Sequence, residues 1–230
     1  MTYGVSCRAV LFDLDGTLVD SAADIAESLN DLLVEEGRSP YSLAEVKRMV
    51  GEGVVRLMEK AFKEAAKASE RAERFMEIYT PRSTRLTTPV EGAFAALDHF
   101  KTIGIPLAIC TNKPDDAARE VLESLGLSPY FREIIGGTSG LPRKPDPAIL
   151  LEAARRLGVE PAHALMVGDS LPDVSAARAA GMKVVVVDSG YGEVAAQALS
   201  ADGILETLDD LGKWPGLARG VSSSETPPGS

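Results

Sequence analysis

Residues 11–21 read Leu11-Phe12-Asp13-Leu14-Asp15-Gly16-Thr17-Leu18-Val19-Asp20-Ser21. An apolar run ends in two carboxylates, Asp13 and Asp15, followed by a glycine. Side chains of a strand alternate between faces, so positions two apart share a side. Two acids aimed at one spot repel each other, and folded proteins tolerate this where a cation or a shared proton sits between them. The stretch therefore asks for a metal, an acid/base pair, or both, at the end of a buried strand.

Working outward, Cys7 to Leu14 is short and apolar, as a strand buried on both faces requires. Residues 22–36 are amphipathic with Ile25, Leu29, Leu32 and Leu33 on one face, and Gly37 ends the pattern. Leu43–Val50, Val54–Ala66 and Ser69–Tyr79 also read as helices, so residues from about 22 to 80 contain no strand candidate. Beyond Pro81 the pattern changes. Glu91–Ile103 (closed by Gly104), Asp115–Leu125, Pro147–Leu157 and Pro172–Ala180 read as helices. They alternate with apolar runs at Leu107–Thr111, Phe131–Ile135, Ala164–Val167 and Lys183–Val187. Strands alternating with helices imply a parallel sheet covered on both faces. The expected architecture is α/β: a Rossmann-like parallel sheet core, residues 1–19 and 86–217, with an all-helical cap domain inserted at 20–85. The Ser/Pro/Gly-rich tail, residues 218–230, is expected to be disordered.

Of the 230 residues, 45% are hydrophobic and 25% charged, which suits a globular protein with a sizeable core. The net charge of −10 argues against nucleic acid and anionic membranes as partners. An anionic substrate would need a locally positive pocket. Two cysteines, Cys7 and Cys110, give no disulfide framework. With no apolar run of membrane-spanning length and no signal-peptide pattern, the cytoplasm is the expected compartment. The oligomeric state is left open between monomer and homodimer.

In open α/β sheets, ligands bind beyond the carboxyl ends of the strands. That rule gathers Asp13 and Asp15, Thr111-Asn112-Lys113, Lys144 in the loop Arg143-Lys144-Pro145-Asp146-Pro147, and Asp169-Ser170 with Asp173 one turn later. Carboxylates without histidine or cysteine suit a hard cation, Mg²⁺ before Zn²⁺. Hydroxyl, backbone N–H and lysine suit a phosphate.

The set resembles the haloacid dehalogenase superfamily of phosphotransferases. Its signatures stand in order as Asp13-Leu14-Asp15-Gly16-Thr17, Cys110-Thr111-Asn112, Lys144-Pro145-Asp146-Pro147, and Gly168-Asp169-Ser170 through Asp173. Val50-Gly51-Glu52-Gly53, Thr111-Asn112-Lys113-Pro114 and Ser189-Gly190-Tyr191-Gly192 are similar to the phosphoglycolate phosphatases within it. The resemblance implies Mg²⁺-dependent hydrolysis of a small phosphate monoester, 2-phosphoglycolate first. It makes Asp13 the nucleophile that forms an aspartyl-phosphate, and Asp15 the general acid and then base. Thr111 and Lys144 hold phosphoryl oxygens, and Asn112 orients the nucleophile or phosphoryl group. Asp13, the Asp15 carbonyl and Asp169 bind Mg²⁺, supported by Asp173. Arg56, one turn after the Gly51-Glu52-Gly53 turn, is the candidate for the substrate carboxylate, against the plain reading of a surface charge. Lys113 is either at the pocket rim or on the solvated surface.

Rival readings keep the fold and change the chemistry. A phosphatase for a sugar phosphate or pyrophosphate differs in its cap, and a sugar phosphomutase would use the same two acids. A non-catalytic binding protein would be expected to lack one of the core acids or the lysine, and none is missing. In the cap, Glu64, Lys67, Glu70, Arg71, Glu73 and Arg74 read as a solvated helix face.

Overall fold

The computed structural model describes residues 7–188 and 191–214. Ser189, Gly190 and the tail expected to be disordered lie outside the described residues. In chain order the elements are β1 (Ala9–Phe12), β2 (Val19–Asp20), α1 (Ala22–Glu35), α2 (Leu43–Met49), α3 (Val54–Phe62), α4 (Ala68–Tyr79) and β3 (Thr88–Pro89). There follow α5 (Ala93–Ile103), β4 (Leu107–Cys110), α6 (Asp115–Ser124), β5 (Phe131–Ile135), α7 (Ala148–Leu157), β6 (Ala164–Gly168), α8 (Leu171–Ala179), β7 (Lys183–Val187) and β8 (Gly203–Leu205).

Six strands form one sheet in the order β5-β4-β1-β6-β7-β8, and every neighbouring pair is parallel. This is a Rossmann-like order, which reverses direction between β1 and β6, where such sheets open a crevice. All four residues of β1 are fully buried. Val10 and Phe12 face the layer that contains Leu97 and Phe100 of α5 and Val121 and Leu122 of α6. Ala9 and Leu11 face Ile149 and Leu150 of α7 and Ala176 of α8. Burial on both sides explains why the strand reads as an unbroken apolar run.

Helices α1 to α4 stand between β2 and β3 and build a separate apolar cluster from Ile25, Leu29, Leu33, Met58, Phe62 and Phe75. The chain enters and leaves this helical insert through one antiparallel ribbon, with Val19 opposite Pro89 and Asp20 opposite Thr88. Below the ribbon, the buried carboxylate of Asp24 accepts from the N–H groups of Leu86 and Thr87 and from Thr87 Oγ1. Two-residue strands carry no readable alternation, so the ribbon is invisible in the sequence pattern.

Most element ends fall within two residues of the sequence expectation. The exception is α3, which stops at Phe62 because Lys63 turns left-handed, at φ +54°. Arg71 corrects the reading of a solvated face. It is buried, forks onto both oxygens of Glu36 at 2.8 and 2.7 Å, reaches Glu64 at 2.9 Å and stacks over Phe62. No helix of the described residues is long and apolar enough to cross a membrane.

Candidate active site

The site begins where β1 ends. Asp13 N–H donates to Val167 O at 2.9 Å, so the ladder with β6 carries one residue beyond the strand. The chain then turns: Gly16 N–H donates to Val19 O, and the N–H groups of Thr17, Leu18 and Val19 all point at Leu14 O. Gly16 sits at φ +87°, a region open to glycine. A Cβ there would meet Asp169 Oδ2 at 2.4 Å. Gly168, at the end of β6, is required for space alone, since a Cβ would strike the Asp173 carboxyl at 2.4 Å. These glycines let the loops after β1 and β6 close on each other.

Four of the expected residues meet in one buried group. Lys144 Nζ lies 2.9 Å from Asp13 Oδ1 and donates to Asp173 Oδ1 at 2.6 Å. Its approach to Asp13 is an ion pair by distance and misses hydrogen-bond geometry, which leaves Asp13 Oδ1 buried without a hydrogen bond. Asp173 Oδ2 accepts from the N–H groups of Asp169 and Ser170 and from Ser170 Oγ. Thr17 Oγ1 donates to Asp169 Oδ1 at 3.1 Å. Asp13, Asp169 and Asp173 each bring a carboxylate oxygen within 4.8 Å of the others.

Three acids and one lysine leave excess negative charge in a desolvated place. Burial, together with the charges of Asp173 and Asp15, raises the Asp13 carboxyl to about 6 even though Lys144 opposes the shift. Burial and the same crowding hold Asp169 well above the usual carboxylate range. Burial works against the charge of Lys144, yet Asp13 and Asp173 keep it protonated beyond the ordinary lysine range. A divalent cation among these oxygens would relieve the repulsion, and an all-oxygen donor set fits Mg²⁺. With both Asp173 oxygens already engaged, Asp13 and Asp169 are the better-placed direct ligands.

Asp13 also forms, with Asp15, the floor of a cavity between the sheet edge and the helical insert. Ser21 Oγ donates to Asp15 Oδ1 at 2.6 Å, and Lys113 Nζ reaches the same oxygen at 3.1 Å. Thr111 joins the wall, its backbone N–H tied to Ile135 O. Lys144 and Asp169 stand behind Asp13 and are not in this wall.

The remaining expectations fare differently. Asn112 does line the cavity, but its Nδ2 donates to Lys144 O at 2.9 Å and to Gly51 O in the insert at 3.0 Å. It fixes the Lys144 loop and tethers the insert. Arg56 is not brought to the cavity: half-exposed on α3, it pairs with Glu59 and Glu52. Lys113 is buried in the cavity wall. The strand-end rule gathers Lys113 with Thr111, and of its two readings, pocket rim or solvated surface, the structure favours the pocket. Cys110, fully buried beside the site, has its thiol pushed up to about 12 by burial and is no nucleophile.

This arrangement has relatives. The family model of haloacid dehalogenase-like hydrolases matches residues 10–187. The phosphoglycolate phosphatase of Rhodospirillum rubrum is 41% identical over 222 residues, 91% of each chain. That of Caulobacter vibrioides is 35% identical over 210 residues, 89% of each chain. Among solved structures, a predicted phosphoglycolate phosphatase from Haemophilus somnus is similar with a TM-score of 0.84 and 30% identity, covering 90% of this chain and 97% of that one. With its parallel sheet, its strand-end acids and these likenesses, the chain belongs to the haloacid dehalogenase-like hydrolases.

Proposed function

We propose that the protein is a Mg²⁺-dependent phosphatase of small phosphate monoesters, with 2-phosphoglycolate as its substrate. The observation that carries this reading is the cavity floor. Asp13 and Asp15 lie side by side there, with Lys144 2.9 Å behind the first and Lys113 3.1 Å from the second. The names of the relatives support the choice of substrate.

Asp13 attacks phosphorus, forming an aspartyl-phosphate as the bond to the leaving oxygen breaks. Asp15 gives that oxygen its proton. Water then attacks the aspartyl-phosphate, Asp15 takes the proton back, and phosphate leaves. Two displacements replace one difficult hydrolysis. Thr111, in the cavity wall, holds a phosphoryl oxygen, and the Lys144 ammonium behind Asp13 offsets the negative charge brought together as the phosphoryl group meets that carboxylate. Asp13 and Asp169 would hold Mg²⁺ with Asp173 behind them, and the bound cation supplies neutralisation of charge on the phosphoryl group. The helical insert, residues 20–85, acts as the cap: it roofs the cavity and keeps bulk water from the intermediate.

A phosphate-release screen over 2-phosphoglycolate, sugar phosphates, nucleotides and pyrophosphate, with and without Mg²⁺, tests the reading. The expected outcome is Mg²⁺-dependent release, greatest with 2-phosphoglycolate and abolished in Asp13→Asn. Activity persisting in that variant would sink the covalent mechanism, and preference for another ester would sink the substrate.

A further inference from the structure

The roof of the cavity is almost wholly apolar. Its insert side is lined by Ile25, Val50, Val54, Leu57, Phe75 and Met76. A carboxylate pushed against such a wall would be desolvated without a partner, which is costly. Arg56 cannot serve, since it faces solvent with its own glutamates. Among the described residues lining this cavity, Lys113 is the one cation.

Its setting is specific. Lys113 Nζ donates to Tyr79 Oη at 2.6 Å and sits 4.7 Å from the centre of that ring. Tyr79 comes from α4, so the contact joins the sheet edge to the insert. The ring is stacked on Phe75 at 5.4 Å and is 2% exposed. Because Tyr79 Oη accepts from Lys113, its own proton points elsewhere, and no acceptor for it occurs among the described residues. Burial pushes the phenol up, so that proton stays in place. A buried ammonium and an unused buried O–H donor therefore stand together in the cavity wall, beside Asp15.

We infer that Lys113 and Tyr79 together receive the carboxylate of the substrate and select esters that carry it on the carbon bearing the phosphate. The inference rests on the phosphatase reading. Its chemistry follows from reach. Asp15 meets the leaving oxygen, and Lys113 Nζ is 3.1 Å from Asp15. In a phosphorylated α-hydroxy acid, a single carbon separates the leaving oxygen from the carboxylate, so both ends fall within range of the two side chains. A longer spacer would drive the carboxylate on into the apolar roof. Arg143 is the rival: it is exposed, and its Nη1 lies 2.8 Å from where a Cβ on Gly53 would stand.

The test compares 2-phosphoglycolate with ethyl phosphate, which has the same length and no carboxylate. Tyr79→Phe keeps the ring and its stack and removes only the donor. It is expected to raise KM for 2-phosphoglycolate about tenfold, the loss of one hydrogen bond to a charged group. Its kcat and its KM for ethyl phosphate should stay within about twofold. Lys113→Met disturbs Asp15 as well, so kcat should fall on both esters, with a further loss of preference for 2-phosphoglycolate of roughly tenfold or more. Equal losses on both esters in both variants would overturn the inference and reduce Lys113 to a support for Asp15. A selective loss in Arg143→Ala with Tyr79→Phe unaffected would overturn it in favour of Arg143. If the unaltered protein cleaves neither ester, the phosphatase reading itself has failed, a result distinct from hydrolysis of both with no preference.

Discussion

Floor and roof of the cavity are built on opposite principles. The floor, at the sheet edge, crowds Asp13, Asp15, Thr111 and Lys113 together, with Lys144, Asp169 and Asp173 packed behind. Asp13, Thr111 and Asp169 sit at the ends of strands buried on both faces, Asp173 is fixed in the first turn of α8, and Lys144 is held in its loop by Asn112, which donates to its carbonyl. The roof is helical, apolar and anchored by its own cluster, and it touches the floor's chemistry through few polar links. Asn112 reaches Gly51 O and Lys113 reaches Tyr79 Oη. Repulsive charge must be pinned by rigid elements to be useful, whereas selection among small substrates needs shape and one or two well-aimed donors.

Breaking the floor should cost most. Lys144→Met leaves Asp13 and Asp173 buried with no counter-charge, and removing one partner of a buried pair costs about 3–5 kcal/mol. Urea unfolding at pH 8 should show that loss, together with loss of phosphate release. A variant of unaltered stability would mean that the ion triad does not form.

The next effect concerns the excess acid. A carboxyl raised in the folded state binds its proton more tightly there than in the unfolded chain. Its stabilising contribution is complete below the ordinary aspartate range and is lost as pH climbs through about 6, the value for Asp13. Without a divalent cation, this site therefore destabilises the fold most at pH 8. At pH 8, Mg²⁺ at a hundredfold excess over its Kd should stabilise the fold by about 2.7 kcal/mol, and the accompanying rise in Tm should be smaller at pH 5. An equal rise at both pH values would contradict a cation held by Asp13 and Asp169.

Breaking the roof should cost less. Arg71→Leu removes the fork to Glu36 and the contact to Glu64, but these acids are 34% and 40% exposed, so solvent screens much of the pairing. A loss of about 1–2 kcal/mol is expected in urea, with KM for ethyl phosphate unchanged. A larger change in KM than in stability would show that the insert's helices, and not only its lining, shape the floor. The smallest effect belongs to Arg56→Ala, which should leave KM for 2-phosphoglycolate within about twofold, because the side chain faces away from the cavity. A marked rise would return Arg56 to the substrate and break the division between floor and roof.

The same division governs what could be read from the chain alone. Asp13, Thr111 and Asp169 follow apolar runs whose burial forces them to strand ends, so a general rule of sheet topology finds them. Lys144 was legible through its proline-flanked loop. Tyr79 was not: its partner Lys113 lies 34 residues away in sequence, and their meeting depends on how α4 leans over the sheet. Arg71 looked solvated because charged neighbours surround it in sequence, while its burial is decided by Phe62 and Glu36 on other helices. Arg56 follows a glycine turn whose helix presents Val54 and Leu57 to the cavity and turns the arginine out, a direction that proximity in sequence does not reveal.

The ribbon of β2 and β3 carries an implication for ancestry. Because the insert departs at Asp20 and returns at Thr88, directly opposite each other, it is topologically a side loop of the sheet. Exchanging everything between Ser21 and Thr87 needs only two joins, close together in space, and leaves all six parallel strands and their order unbroken. A lineage can thus inherit one phosphate-cleaving floor unaltered and try many roofs upon it, each presenting a different wall to a different ester.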